Sequence, residues 1–167
     1  MTSRREAIYA RLEELLFDSG CFDTVVRNEL VEDESRGRIA MLLDGDEDPA
    51  PNTGEGRARE LIAWARPTKL LPEVYLLSND TLRPVDIGPW LSWAIDKVKY
   101  IFTHDETLRA LLYDRDPILY EGATTGLATG RSLAGEVALR FTLTFVDRFE
   151  DPGAEPAPTP ESVTEPP

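Results

Sequence analysis

A chain of 167 residues in which 41% are hydrophobic is long enough for one domain with a true core. Its 18 Lys and Arg stand against 31 Asp and Glu, a formal net charge of -13. That balance excludes the basic stripe a general nucleic-acid binder needs to neutralise phosphates. No apolar run approaches the roughly 20 residues of a membrane span. The opening Met1-Thr2-Ser3-Arg4-Arg5-Glu6 lacks the apolar core of a signal peptide. Cys21 is alone, so no internal disulfide forms, which suits a reducing cytosol.

Ser3 and Glu6 have capping-box spacing. Ile8, Leu12, Leu15 and Leu16 follow on one helical face, and Gly20 supplies a left-handed stop. A first helix is therefore expected over Arg4 to Ser19, roughly 24 Å long. Its other face, with Arg5, Arg11, Glu13 and Glu14, should be solvated or packed on a partner. Phe22 to Asn28 reads as a short strand, and residues 32–37 as a turn. Arg38 to Leu43 is nearly all apolar, as in a strand covered on both faces. Residues 44–56 then read as a long acidic loop, the start of an excursion over 44–68. Arg57 to Arg66 either forms a short helix or continues it. Pro72 to Leu77 reads as a third strand.

Pro84 to Phe102 carries the stripe Ile87, Leu91, Ala94, Ile95, Val98 and Ile101 and predicts a second long helix. Asp105 can cap a short third helix holding Leu108, Leu111 and Leu112. A hairpin follows, with a Gly/Thr/Ser-rich connection over Gly122 to Gly135. Its second strand sets Val137, Leu139, Phe141, Leu143 and Phe145 at every second position, so one face is buried. Arg140, Thr142 and Thr144 suit a wetter face. About ten residues of strand span roughly 33 Å, and this is the expected central strand.

Six of the 13 prolines lie in the last sixteen residues, where Val163 is the one large aliphatic side chain. Residues 149–167 cannot repay their ordering by burial and predict an extended, disordered tail that orders only against a partner. The expected fold is α+β. A mostly antiparallel sheet of about four strands packs against two long helices as a two-layer sandwich over residues 1–148.

Little chemistry is on offer. The chain holds one His, His104, and one Cys, Cys21, each with an ordinary structural place. A catalytic pair needs both together with an orienting third group. No G-x-S-x-G, P-loop or G-x-G-x-x-G occurs. Asp44, Asp46, Asp48 and Glu55 fall at positions 1, 3, 5 and 12 of a calcium-loop count, but position 6 is Pro49 where a Gly is needed. A solvated acidic loop is the favoured reading over a metal site. Trp90 and Trp93 are either core or interface residues.

The runs Tyr120-Glu121-Gly122 and Ala128 to Glu136, followed by the alternating strand, resemble the C-terminal signature of tailed-phage tail-terminator (tail-completion) proteins. The opening Arg4 to Ile8, Val25 to Asn28, Leu43 to Glu47 and Pro72 to Tyr75 extend the likeness over residues 3–147. Gene transfer agents carry related tail parts. The resemblance implies a small α/β subunit without enzymatic activity or cofactor, forming a ring, typically a hexamer. The ring sits in the virion at the head–tail junction, on the head-proximal end of the tail tube, after assembly in the host cytoplasm. Its partners are then other copies of itself, the tube protein and a head-closure or connector protein. DNA is passing cargo, and no membrane is involved. Candidate interface residues are Asp44, Asp46, Glu47 and Asp48 on the acidic loop, Trp90 and Trp93 on the helix, and Thr129, Arg131 and Ser132 in the hairpin connection. That connection is otherwise an ordinary hairpin loop. Acidic loops lining the channel would keep DNA off its wall. A connector role in the same particle, or a small cytosolic calcium-binding or enzymatic domain, are the alternatives.

Overall fold

A computed structural model describes residues 3–29, 37–49, 65–79, 84–113, 118–129 and 133–148. The elements are α1 (Arg4–Asp18), β1 (Thr24–Arg27), β2 (Gly37–Leu43), β3 (Glu47–Pro49), β4 (Ala65–Leu70), β5 (Glu73–Asn79), α2 (Pro84–His104), α3 (Glu106–Leu111), β6 (Ile118–Thr129) and β7 (Leu133–Arg148). The class is mixed α+β, but among the described residues the sheet has seven strands rather than about four, with three helices.

The extra strands come from two long runs that each break once. β4 and β5 both pair antiparallel with β7. Leu70 faces Leu143 and Glu73 faces Arg140, three residues apart on both sides, so the register continues through Leu71-Pro72. The Phe141 amide donates to the Pro72 carbonyl at 3.2 Å and closes the gap. On the next row, Leu43 faces Glu73 while Glu47 faces Leu70. Four steps on one side match three on the other, so Asp44-Gly45-Asp46 is a bulge inside one long strand. Among the described residues the sheet is thus five rows across: β1, β2 with β3, β5 with β4, β7, and β6.

β7 is the long alternating strand expected, but it stands next to the β6 margin and not at the centre, and the middle row is β5 with β4. β6 lies along one edge, and β5 and β4 lie end to end along the other. Val137, Leu139, Phe141, Leu143 and Phe145 are completely buried. Across the rows they meet Leu76, Val74 and Leu70, and above them lie Leu91, Val98 and Phe102 of α2 and Leu12 of α1. Phe102 meets the Phe141 ring at a centroid distance of 5.1 Å. Gly135 permits the closest approach, since a Cβ there would sit 2.3 Å from Ile87 Cγ2. Thr142 departs from the expected wetter face: it is 7% exposed, and its hydroxyl donates to Glu121 Oε1 at 2.8 Å. Glu121 is the extra residue of a bulge between Tyr120 and Gly122, where Gly122 takes φ +137°.

The excursion expected over 44–68 is corrected at both ends. Glu47–Pro49 and Ala65–Leu70 are paired strands, Glu47 opposite Leu70 and Thr68 opposite Phe145. Pro67 disguises β4, because a proline in a run argues against a central strand. It stands just beyond Thr68, the last residue paired with β3 among the described residues. The hairpin connection is likewise shorter than Gly122 to Gly135, since pairing runs to Thr129 and resumes at Leu133. The readings on 32–36, on 50–64 and on the tail 149–167 lie outside the described residues.

Candidate functional site

α1 starts as expected: Ser3 Oγ accepts from the Glu6 amide at 3.1 Å, and Gly20 takes φ +64° past the last turn. The Glu6 side chain does not complete the capping box. It turns instead to Arg27 on β1, accepting from Nη1 at 2.6 Å and from Nη2 at 2.9 Å. The same guanidinium donates to both oxygens of Asp44 at 2.8 Å. Arg5 reaches Asp44 at 3.6 Å and Glu47 at 3.4 Å. Arg5 and Arg27 both lie over the Tyr9 ring, 5.1 and 4.9 Å from its centroid. One knot of charge therefore ties α1, β1 and the Asp44 bulge together.

The electrostatics follow from this packing. At Asp44, burial pushes the carboxyl up, but the Arg27 fork outweighs it and holds the group below its usual range. At Glu6 the Arg27 hydrogen bonds dominate and lower it as well. Burial drives the Tyr9 phenol up to about 12, helped by the Asp44 charge. The backbone at Gly45 faces that hydroxyl without closing a hydrogen bond, so Tyr9 Oη is buried and unsatisfied.

A second clamp holds α3. Arg11 grips Asp105 through Nε at 3.0 Å and Nη2 at 2.6 Å, while Asp105 Oδ1 accepts from the Leu108 amide as the cap. Arg4, one heptad earlier, donates to the Leu111 carbonyl at 2.8 Å, at the other end of α3. Of the charged face of α1, Arg5 and Arg11 thus bind the chain's own carboxylates, while Glu14 stays on the surface, its side chain 57% exposed.

The acidic residues expected to form a solvated loop divide. Asp44 is consumed by Arg27, and Asp46 accepts the Leu71 amide with its backbone carbonyl at 3.0 Å. Glu47 pairs with Arg5, and Asp48 stands in β3 opposite Lys69. Gly45 crosses so close that a Cβ would sit 1.6 Å from the Leu71 carbonyl oxygen. Asp48 is therefore in a paired strand where a calcium loop needs a coiled turn, and Glu55 lies outside the described residues. Among the described residues, no group of three or more His, Cys, Asp or Glu is arranged to hold a metal.

Trp90 packs on the core edge to edge with Phe22, at a centroid distance of 6.4 Å, and its indole N–H is buried without a partner. Trp93 is 51% exposed. Thr129 ends β6, and Arg131 and Ser132 lie outside the described residues. Cys21 is buried, its thiol donating to the Ser19 carbonyl, while exposed His104 stacks on Tyr100. The two share no contact. A groove of about 460 Å³ gathers Asp44, Asp46, Glu73 and Glu121 around Arg140, which pairs with Glu73 at 3.0 Å. It presents neither a thiol nor an imidazole, and the hydroxyl of Thr142 beside it is committed to Glu121.

Sequence reading missed Arg27 as the partner of Asp44, Glu6 as the second carboxylate on the same guanidinium, and Tyr9 as the ring beneath it. One signal was present: three arginines on α1 and one on β1 flank a chain with excess carboxylate, and each needs a partner once half-buried. Compared with known proteins, the chain matches no protein-family model and no curated sequence.

Proposed function

We propose that this chain is a structural assembly subunit that closes head-to-tail into a ring. In this reading the ring, of six copies, sits at the head-proximal end of the tail tube of a phage or gene transfer agent, stops tube growth and joins tail to head. The observation that carries the reading is the two-ended sheet. β1 forms one margin and β6 the opposite one, and among the described residues neither has a second strand neighbour. A closed ring needs two different complementary patches on opposite sides of the subunit.

β6 is suited to be one of them. It is 12 residues long, and Gly122 to Thr129 carries no charge and no proline. Edge strands are normally blunted by lysine, proline or short length. Leu119 is 57% exposed, and Ala123, Thr124 and Thr125 are exposed and small enough to admit a neighbouring backbone. Six copies at -13 each total -78, so contact is favoured through such an uncharged margin. Asp46, Glu47 and Asp48 are exposed on the bulge and β3, and Asp46 and Asp48, which make no ion pair among the described residues, are available to repel DNA from a channel wall. No enzymatic role is part of this reading.

Mass photometry of the purified chain across a salt series tests the ring. The expected species is about 112 kDa, six times 18.7 kDa, growing as salt screens repulsion within a Debye length of roughly 8–10 Å. A monomer at every salt concentration, also in the presence of purified tail tubes, overturns it.

A further inference from the structure

The two margins of the sheet run in opposite directions. β1 is parallel to β2, while β2 and β5, β5 and β7, and β7 and β6 are antiparallel. A second copy set beside the first in the same orientation therefore brings its β6 antiparallel to β1. Antiparallel pairing is slightly the more stable per residue. Rotation about an axis along the strands keeps every copy's polarity, so a cyclic ring joins β6 to β1, whereas a two-fold pair joins β6 to β6. We propose that β6 of a second copy of this chain adds antiparallel to β1, with Phe17 of the first copy seated over Ala123 and Thr125 of the second. This contact rests on the ring reading and names the surface that closes it.

The layer above the sheet differs at the two margins, and the difference is complementary. Ala10, Glu13, Glu14 and Phe17 form one row of α1 and, with Val25 of β1, line a groove of about 280 Å³. Val25 stands opposite the buried Ala40, so the groove lies on the helix side of the sheet. Phe17 is 72% exposed there. On β6, Ala123 and Thr125 stand opposite the buried Leu139 and Val137, which puts them on the helix side as well. Both are nevertheless exposed. One margin thus carries an aromatic side chain in excess, and the other carries two small side chains that nothing among the described residues covers.

Size and charge fit this occupant. A helix with its side chains is roughly 10–12 Å across and strands lie about 4.8 Å apart, so a helix above the margin strand reaches over the next row. A methyl and a hydroxyl at Ala123 and Thr125 leave room for the Phe17 ring. Glu13 and Glu14 border the groove, and a chain of net charge -13 offers few surfaces that can approach them. Gly122 to Thr129 is one, since it carries no charge. In strand addition of this kind the main-chain hydrogen bonds supply affinity, and the side chains that meet a pocket supply specificity.

Photocrosslinking of the full chain tests the contact, with p-benzoylphenylalanine in place of Phe17 and an equal mixture of ¹⁵N-labelled and unlabelled protein, followed by mass photometry of the same sample. The expected product joins position 17 to residues 118–129 and mixes the isotopes. Its yield falls several-fold with Thr125→Glu, which sets a further carboxylate against Glu13 and Glu14, and recovers when both of those are changed to Gln. Closed rings in which the label reaches any other segment overturn the contact and leave the ring standing. Label on β6 in open chains that never close supports the contact and overturns the ring. Monomers without product overturn both. Products confined to one isotopic species, or a yield indifferent to Thr125→Glu, also overturn the contact. The same label in place of Thr125, expected to reach residues 10–17, repeats the test should the first variant fail to fold.

Discussion

Arg27 and Asp44 meet side-on, Nε to Oδ1 and Nη2 to Oδ2 both at 2.8 Å, each side chain only 15% exposed. This contact fastens the bulge that lets β2 run on into β3, and its guanidinium also holds Glu6 of α1. Arg27→Ala leaves two carboxylates facing each other in a half-buried site. Removing one partner of a buried pair costs about 3 kcal/mol or more. Arg27→Lys keeps the charge but loses the fork and is expected to recover part of the loss. Urea midpoints at neutral pH check the order wild type, Lys variant, Ala variant.

Tyr9→Phe is expected to raise stability by about 1 kcal/mol, since the hydroxyl it removes is buried without a partner. The ring between Arg5 and Arg27 stays in place. The phenol is also pushed up to about 12 in the folded chain against 10.0 ordinarily. The unfolded chain ionises first, so Tyr9 contributes stability that is complete below pH 10 and lost as pH rises toward about 12. Thermal unfolding from pH 9 to 12 should show a shallower alkaline decline in the Phe variant.

Acid acts through the carboxylates with the opposite sign. The Arg38 guanidinium holds Asp23 at about 2, against an ordinary 3.8, and Arg11 holds Asp105 below its usual range. Their contribution is present above the ordinary carboxylate values and lost as pH falls through the lowered ones. Stability is expected to decline from about pH 4 toward pH 2. Asp105→Asn, which keeps a cap acceptor but weakens the Arg11 clamp, should flatten that decline, as read by circular dichroism along an acid titration.

Gly45→Ala puts a methyl within 1.6 Å of a backbone oxygen that cannot step aside. The bulge must move and the Leu71 amide loses its bond to the Asp46 carbonyl. A cost of about 1–3 kcal/mol is expected, as for an overpacked site. Gly135→Ala meets the side-chain methyl of Ile87 instead, which can rotate, so its cost should be the smaller of the two. Paired denaturation curves settle the ranking.

Much of the fold was legible because it rests on periodicity. The five alternating residues of β7, the cap at Ser3 and the stop at Gly20 each follow from a local rule. β3 and β4 were hidden for a physical reason: charge in Glu47-Asp48-Pro49 and proline in Ala65–Leu70 imitate a loop, and only pairing with a distant strand makes them strands. The eight residues Gly122 to Thr129 were equally disguised by glycine and threonine, which β7 orders. At the candidate site, the acidic character of Asp44 and Glu47 was plain, but their pairing with Arg27 and Arg5 across sequence was not. Trp93 was marked as a surface of interest, while the row it forms with Tyr100 and His104 emerges only once α2 is seen to bury the opposite side.

Tail length is the most direct test of the assembly role. Electron micrographs of particles made without this chain should show tails of unregulated, excessive length that lack heads, with uniform tails restored when the chain is supplied. Tails of normal length in its absence, or purified particles that never contained it, contradict the account.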